Sequence, residues 1–179
     1  MSWKVTGLIN PSTLDKDVLQ LMKESGCSFI NMGLMNRKNI NVLKEKMALI
    51  RKFRIKVNGS FIMGLPNETE EKIRETINLS KELDIDFASF SIMIPFPGSE
   101  LFKQLEENGY MDPSRVPWSN FYSNRIVFPR NNINESKLKK LHRQAYLKFY
   151  LRWKILKSTL PRLIYDKTFF KRGLSLLKN

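Results

Sequence analysis

Apolar positions in the first 109 residues alternate between short β-prone runs and longer segments with a helical period. The first run is Trp3 to Ile9, ended by Asn10-Pro11. A helix follows, with Ser12 as its expected cap and Asp15 as the reciprocal acid, Leu14, Val18, Leu21 and Met22 on one face, and Gly26 as its stop. Cys27 to Leu34 reads as a second strand, and a second helix starts at Asn39 or Asn41 and carries Val42, Leu43, Met47, Leu49, Ile50 and Phe53. Ile55 to Met63 is a third strand, closed by Gly64-Leu65-Pro66. Asn67 is the expected cap of a third helix with Ile73, Ile77, Leu79 and Leu83 mostly on one side. Phe87 to Ile94 is a fourth strand, and after Pro95-Phe96-Pro97-Gly98 a short helix runs from Ser99 to Asn108, before Gly109.

Strands alternating with helices over short connections imply right-handed crossovers and a parallel sheet. The run from Phe87 to Ile94 is nearly all apolar, which predicts strands covered on both faces. Four such units make an α/β fold: a partial TIM-like barrel, half of a closed eightfold one, or a small open sheet. Residues 1–109 form this body, 110–133 a connection with one short strand at Arg125 to Phe128, and 134–179 a helical C-terminal extension. In the extension, Asn134 caps a helix expected to reach about Leu160. Leu138, Leu141, Ala145, Phe149, Trp153, Leu156 and Leu160 lie along one stripe, and Leu147 and Leu151 on the other side.

Charge sharpens this division. The net charge of the 179-residue chain is +14. Residues 130–179 hold 14 Lys and Arg against two acids, so the body is close to neutral and the extension strongly basic. The extension therefore suits either a docking helix with a charged exterior or an anionic membrane surface, where Tyr146, Tyr150, Trp153 and Tyr165 would sit at the interface. Nucleic acid ranks lower, because large apolar groups share the basic helix and no nucleic-acid-binding signature is present. The only cysteine, Cys27, excludes a disulfide framework and any cysteine-only metal or iron–sulfur site built by this chain alone. No apolar run approaches the ~20 residues of a membrane span. The expected location is the cytoplasm or the inner face of its membrane. The only histidine, His142, lies among Lys139, Lys140 and Arg143 and reads as a surface residue, and Cys27 as packing.

Candidate chemistry collects where strands end. Gly64 leaves room for a ligand to approach main chain, and Pro95-Phe96-Pro97-Gly98-Ser99 has the same form: a rigid turn, an aromatic and a helix cap. Glu68 and Glu100 fall in first helical turns and read as dipole partners rather than acids in catalysis.

Ile62-Met63-Gly64-Leu65-Pro66-Asn67-Glu68-Thr69 followed by Pro95-Phe96-Pro97-Gly98-Ser99-Glu100-Leu101-Phe102 resembles the radical SAM enzymes, and within them the group with an upstream cobalamin-binding domain. The usual strings there read GLPGET and PFPGTELY, so Asn67 and Ser99 are departures. Leu19 to Gly33 resembles the helix and strand before the family's GIES turn, and Phe149-Tyr150-Leu151-Arg152 its FYLR string. At the GIES turn this chain has Gly33-Leu34-Met35-Asn36, with Met35 at the acidic position.

The resemblance implies S-adenosylmethionine and a [4Fe–4S] cluster as cofactors, with cobalamin in an upstream domain. It implies cofactor contacts at Gly33, Asn36, Gly64, Leu65, Pro95 and Phe96. The implied activity is reductive cleavage of S-adenosylmethionine, followed by hydrogen abstraction or methyl transfer on an organic substrate. The family's CxxxCxxC loop is not in this sequence, so the chain aligns with strands three to six of the barrel and the helices after them. The implied partner is the missing N-terminal half or another chain. The alternatives are a non-catalytic remnant or a module that binds a membrane or partner through its basic helix.

Overall fold

In the computed structural model, residues 1–34, 40–112, 114 and 132–152 are described. Four parallel strands form one sheet in sequence order: β1 (Trp3–Ile9), β2 (Cys27–Gly33), β3 (Lys56–Met63) and β4 (Phe87–Ile92). The crossovers are α1 (Lys16–Glu24), α2 (Ile40–Lys52) and α3 (Glu70–Glu82), and α4 (Glu100–Glu107) and α5 (Glu135–Tyr150) follow β4. Neighbouring strands that are also consecutive in sequence put every right-handed crossover on the same side of the sheet, as in a barrel wall. The fold is thus four units of a partial (β/α) barrel with a helical C-terminal part. The strand Arg125 to Phe128 and the helix beyond Arg152 lie outside the described residues.

Burial alternates along the strands, contrary to the expectation that both faces are covered. Val57, Gly59, Phe61 and Met63 of β3, and Ala88, Phe90 and Ile92 of β4, are buried under the helices. Asn58, Ser60, Ser89 and their neighbours stay partly open on the other face. The period-2 signal was masked because Phe87 sits among the serines on the open side. β4 also ends at Ile92, two residues earlier than its apolar run. Packing on the covered face is tight at Gly59, where a Cβ would lie 2.7 Å from Ile85 Cδ1 and Leu34 Cδ1.

Two helix starts differ from expectation: at each, a polar side chain later in the sequence than the expected cap reaches the first free amide. Asn10, not Ser12, opens the first turn, accepting from Ser12 N at 3.1 Å, and Asp15 then caps α1 by accepting from Val18 N at 2.8 Å. Leu14 therefore precedes α1, and Leu19 is the buried residue of that helix, while Val18 and Leu21 face outwards. Asn67 is exposed, and Thr69 caps α3.

The helix α5 is part of the body's core. Its stripe of Leu138, Leu141, Ala145 and Phe149 is fully buried with the sheet residues, so these groups are not free to rest on a bilayer. Lys137 of α5 reaches Glu70 of α3 at 3.0 Å, beside the Arg74–Glu70 pair at 2.6 Å. Hydrogen bonds from Lys137 and Arg74 hold the Glu70 carboxyl below the usual carboxylate range.

The same helix finishes the sheet. The Tyr150 hydroxyl accepts from Ala88 N at 3.3 Å and donates to Ala88 O at 2.9 Å. Tyr146 does the same at Phe90, at 3.1 and 3.0 Å. His142 Nε2 lies 2.9 Å from Phe90 O, and since a carbonyl only accepts, that nitrogen carries the proton. Residues four apart on one helix face thereby satisfy alternate residues of β4, as a fifth strand would. Tyr146 and Tyr150 are edge partners rather than interfacial aromatics, and His142 is half-buried rather than a surface group. Burial pushes the His142 imidazole below its ordinary value, against the opposing hydrogen bond to Phe90. Among the described residues no helix is long and apolar enough to cross a membrane.

Candidate functional site

Because β2, β3 and β4 are parallel neighbours, their C-terminal ends form one rim. Gly33 ends β2 in register with Ser60, Met63 of β3 is in register with Ile92, and Met93 N donates to Met63 O at 2.8 Å. The rim therefore brings Gly33, Gly64-Leu65 and Pro95-Phe96 to the same end of the sheet. It is staggered, since Gly33 lies level with Ser60 and Gly64 continues beyond it. Asn36 and Met35, on the loop after β2, are outside the described residues.

The turn after β3 is held from inside. Glu68 is buried, and its Oε2 accepts from Gly64 N at 2.6 Å and from Leu65 N at 3.3 Å. Gly64 has φ +78, a left-handed conformation that a side chain would strain. These two amides are thus committed to Glu68, and the Leu65 carbonyl accepts from Glu68 N at 3.0 Å, so this corner presents the half-buried Leu65 side chain. The sequence pointed to Glu68 as a helix-dipole group. Its position four residues after the positive-φ glycine was the available signal for a carboxylate folding back on the turn.

At the neighbouring corner Pro95 is buried, Phe96 is 55% exposed, and Ser99 caps α4 by accepting from Phe102 N at 3.2 Å. An exposed phenylalanine ring over a rigid turn gives the rim an apolar flat surface suited to a planar base.

Below the rim, the open face of the sheet carries a neutral polar layer that sequence reasoning missed. Asn58 Nδ2 donates to Asn31 Oδ1 at 2.7 Å and to Ser89 Oγ at 3.1 Å. Ser60 Oγ donates to Asn31 Oδ1 at 3.0 Å and lies 3.0 Å from Ser89 Oγ. Phe29 and Phe87, 6.1 Å apart, lie at the N-terminal side of this layer. The signal was polar residues two apart within strands, as in Asn58 and Ser60. In a closed barrel this face is the interior.

The donor set does not fit an iron–sulfur cluster. Cluster ligation takes several thiolates, the chain has one cysteine, and Cys27 is buried within β2. Among the described residues no three His, Cys, Asp or Glu side chains come together. The rim, by contrast, carries apolar surface at Leu65 and Phe96.

No family model matches the chain. In an alignment that covers 87% of this chain it is 32% identical to an uncharacterized methyltransferase of Pyrococcus horikoshii, of which 36% is covered. In fold it is similar to the radical S-adenosylmethionine methyltransferase TsrM from Kitasatospora setae, solved with cobalamin and a [4Fe–4S] cluster bound. The TM-score is 0.54 at 19% identity, over 79% of this chain and 30% of that one. It is also similar to the radical SAM enzyme coproporphyrinogen III oxidase from Escherichia coli, with TM-score 0.54 at 15% identity, over 83% of this chain and 32% of that one. The chain spans about a third of the length of each of these proteins.

The parallel sheet with its glycine and proline corners therefore shares the fold of radical SAM enzymes. It is similar to two methyltransferases, in sequence to the Pyrococcus protein and in fold to TsrM.

Proposed function

We propose that the chain is a C-terminal fragment or subunit of a radical SAM enzyme that transfers a methyl group or abstracts hydrogen from an organic substrate. The observation that carries this reading is the shared rim, where Gly33, Gly64-Leu65 and Pro95-Phe96 come from three adjacent parallel strands. In this reading the Gly64-Leu65 corner and the Phe96 ring receive the adenosyl part of S-adenosylmethionine, and Glu68 keeps the corner rigid. The polar layer of Asn31, Asn58, Ser60 and Ser89 lines the interior under it. Cluster ligands come from another part of a longer protein or from a separate chain, and cobalamin from a further domain. Reductive opening of the S-adenosylmethionine sulfonium would draw its electron from a cluster that the residues of this chain do not hold. This chain's residues place the nucleoside and exclude water.

The test is anaerobic reconstitution with iron and sulfide, followed by iron counting and equilibrium binding of S-adenosylmethionine. The chain alone is expected to hold no cluster and to bind the nucleoside weakly. Together with a polypeptide carrying CxxxCxxC it is expected to cleave S-adenosylmethionine, and Phe96→Ala is expected to weaken nucleoside binding. Stoichiometric cluster on the chain alone, or nucleoside binding indifferent to Phe96, would overturn the assignment.

A further inference from the structure

One main-chain carbonyl fixes the direction of the hydrogen bonds in the polar layer on the open face. β1 pairs irregularly with β2 between Lys4 and Leu8, and in that stretch the Thr6 carbonyl accepts from Asn31 Nδ2 at 3.2 Å. A carbonyl only accepts, so Asn31 turns its NH2 group to Thr6 and its Oδ1 to Asn58 and Ser60. Both neighbours must then donate to that oxygen. Ser60 spends its proton there, so at the 3.0 Å contact between Ser60 and Ser89 the Ser89 hydroxyl is the donor. Ser89 Oγ in turn accepts from Asn58 Nδ2 at 3.1 Å.

Each amide carries a pair of N–H groups and each serine a single O–H. Asn58 and both serines spend all of theirs inside the layer, and Asn31 gives one to Thr6. Among the described residues two capacities stay open: the second N–H of Asn31 and the carbonyl oxygen Oδ1 of Asn58. Both residues are half-buried, and neither atom is sealed from solvent. Asn31 and Asn58 are in register on adjacent strands, so one small group reaches both. No charged side chain bonds to the layer. Phe29 and Phe87, with ring centroids 6.1 Å apart, close the face on its N-terminal side, where the exposed Lys56 lies level with Phe29.

We propose that Asn31 and Asn58 form a subsite for an uncharged carboxamide or lactam group of the substrate, whose N–H donates to Asn58 Oδ1 and whose carbonyl accepts from the open N–H of Asn31. An acceptor and a donor on neighbouring strands match a group that gives one bond and takes one. A carboxylate or phosphate has no proton for Asn58 Oδ1 and meets its lone pairs instead. An ammonium loses its hydration here without a counter-charge. Depth fits as well. Asn31 lies two residues before Gly33, and Ser60 and Ser89 three before Met63 and Ile92, so at ~3.3 Å per residue the layer is roughly 7–10 Å below the strand ends. That this ligand is the substrate rests on the reading of the rim as the nucleoside site; binding at the two asparagines is read directly.

The test uses the full isotope-labelled chain in solution NMR with three probes of similar shape: benzamide, methyl benzoate and benzoate. Benzamide is expected to shift the side-chain amide resonances of Asn31 and Asn58 saturably. Methyl benzoate lacks the N–H and is expected to bind ~10-fold more weakly, the worth of one hydrogen bond. Benzoate is expected to leave both resonances in place. Asn58→Ser, with its fold checked by circular dichroism, is expected to weaken benzamide binding by ~10-fold or more. Benzamide that moves neither asparagine, an ester that binds equally, benzoate that binds as tightly as benzamide, or indifference to Asn58→Ser would each overturn the subsite. The radical SAM reading keeps its own test in cluster and S-adenosylmethionine binding, so the two fail separately.

Discussion

Replacing Tyr150 by phenylalanine removes one oxygen atom and leaves the ring, which packs 4.9 Å from Phe149 and 6.3 Å from Tyr146 between centroids. That oxygen accepts Ala88 N–H and donates to Ala88 C=O, so both main-chain groups lose their partner at once. At roughly 0.5–1.5 kcal/mol net per hydrogen bond, Tyr150→Phe is expected to cost about 1–3 kcal/mol. Tyr146→Phe provides the internal comparison. It frees Phe90 N–H, but Phe90 C=O keeps His142, so only one group is orphaned and the cost falls to about 1 kcal/mol. Urea denaturation measures both as shifts in midpoint at unchanged slope. Amide exchange at Ala88 should accelerate in Tyr150→Phe, and at Phe90 in Tyr146→Phe. If Tyr150→Phe stays within about 0.3 kcal/mol of wild type with Ala88 exchange unchanged, the helix does not seal this edge and water satisfies it instead.

Two further outcomes follow from buried titratable groups and their partners. Burial lowers the folded-state pKa of His142, so below its ordinary value of about 6.5 the unfolded chain takes up a proton that the folded chain resists. Stability is then full above about pH 6.5 and declines as pH falls below it, and His142→Gln should flatten that part of a denaturation-versus-pH profile. Glu68→Ala leaves Gly64 N–H and Leu65 N–H without their carboxylate and is expected to cost about 2–3 kcal/mol. Glu68→Gln, which keeps an acceptor oxygen, should recover most of that in the same denaturation measurement, and equal losses in both variants would assign the effect to something other than the turn.

The element order and the partial-barrel fold were legible in the sequence because both rest on local signals. Apolar runs of strand length alternate with 3.6-period segments, and Gly26, Pro66, Gly98 and Gly109 punctuate them where the structure turns. The rim was legible for the same reason: once strands are parallel, corners after successive strands must share an end. The caps were less so. Asn10, Asp15 and Thr69 displaced Ser12 and Asn67 because several short polar side chains compete within three residues, and the turn geometry decides which one reaches an amide.

What the sequence could not decide was which surface covers each apolar or polar stripe. The period of Leu138, Leu141, Ala145 and Phe149 requires a cover, and a bilayer, a partner or the chain's own sheet all satisfy that requirement equally. Only the tertiary structure places β4 against it, and with that contact Tyr146, Tyr150 and His142 become main-chain partners instead of surface groups. The same holds for Asn31 and Asn58, 27 residues apart, whose bond exists only because β2 and β3 align in register. Periodicity is a property of one segment. Burial and hydrogen-bond partners belong to pairs of segments, so only the folded arrangement assigns them.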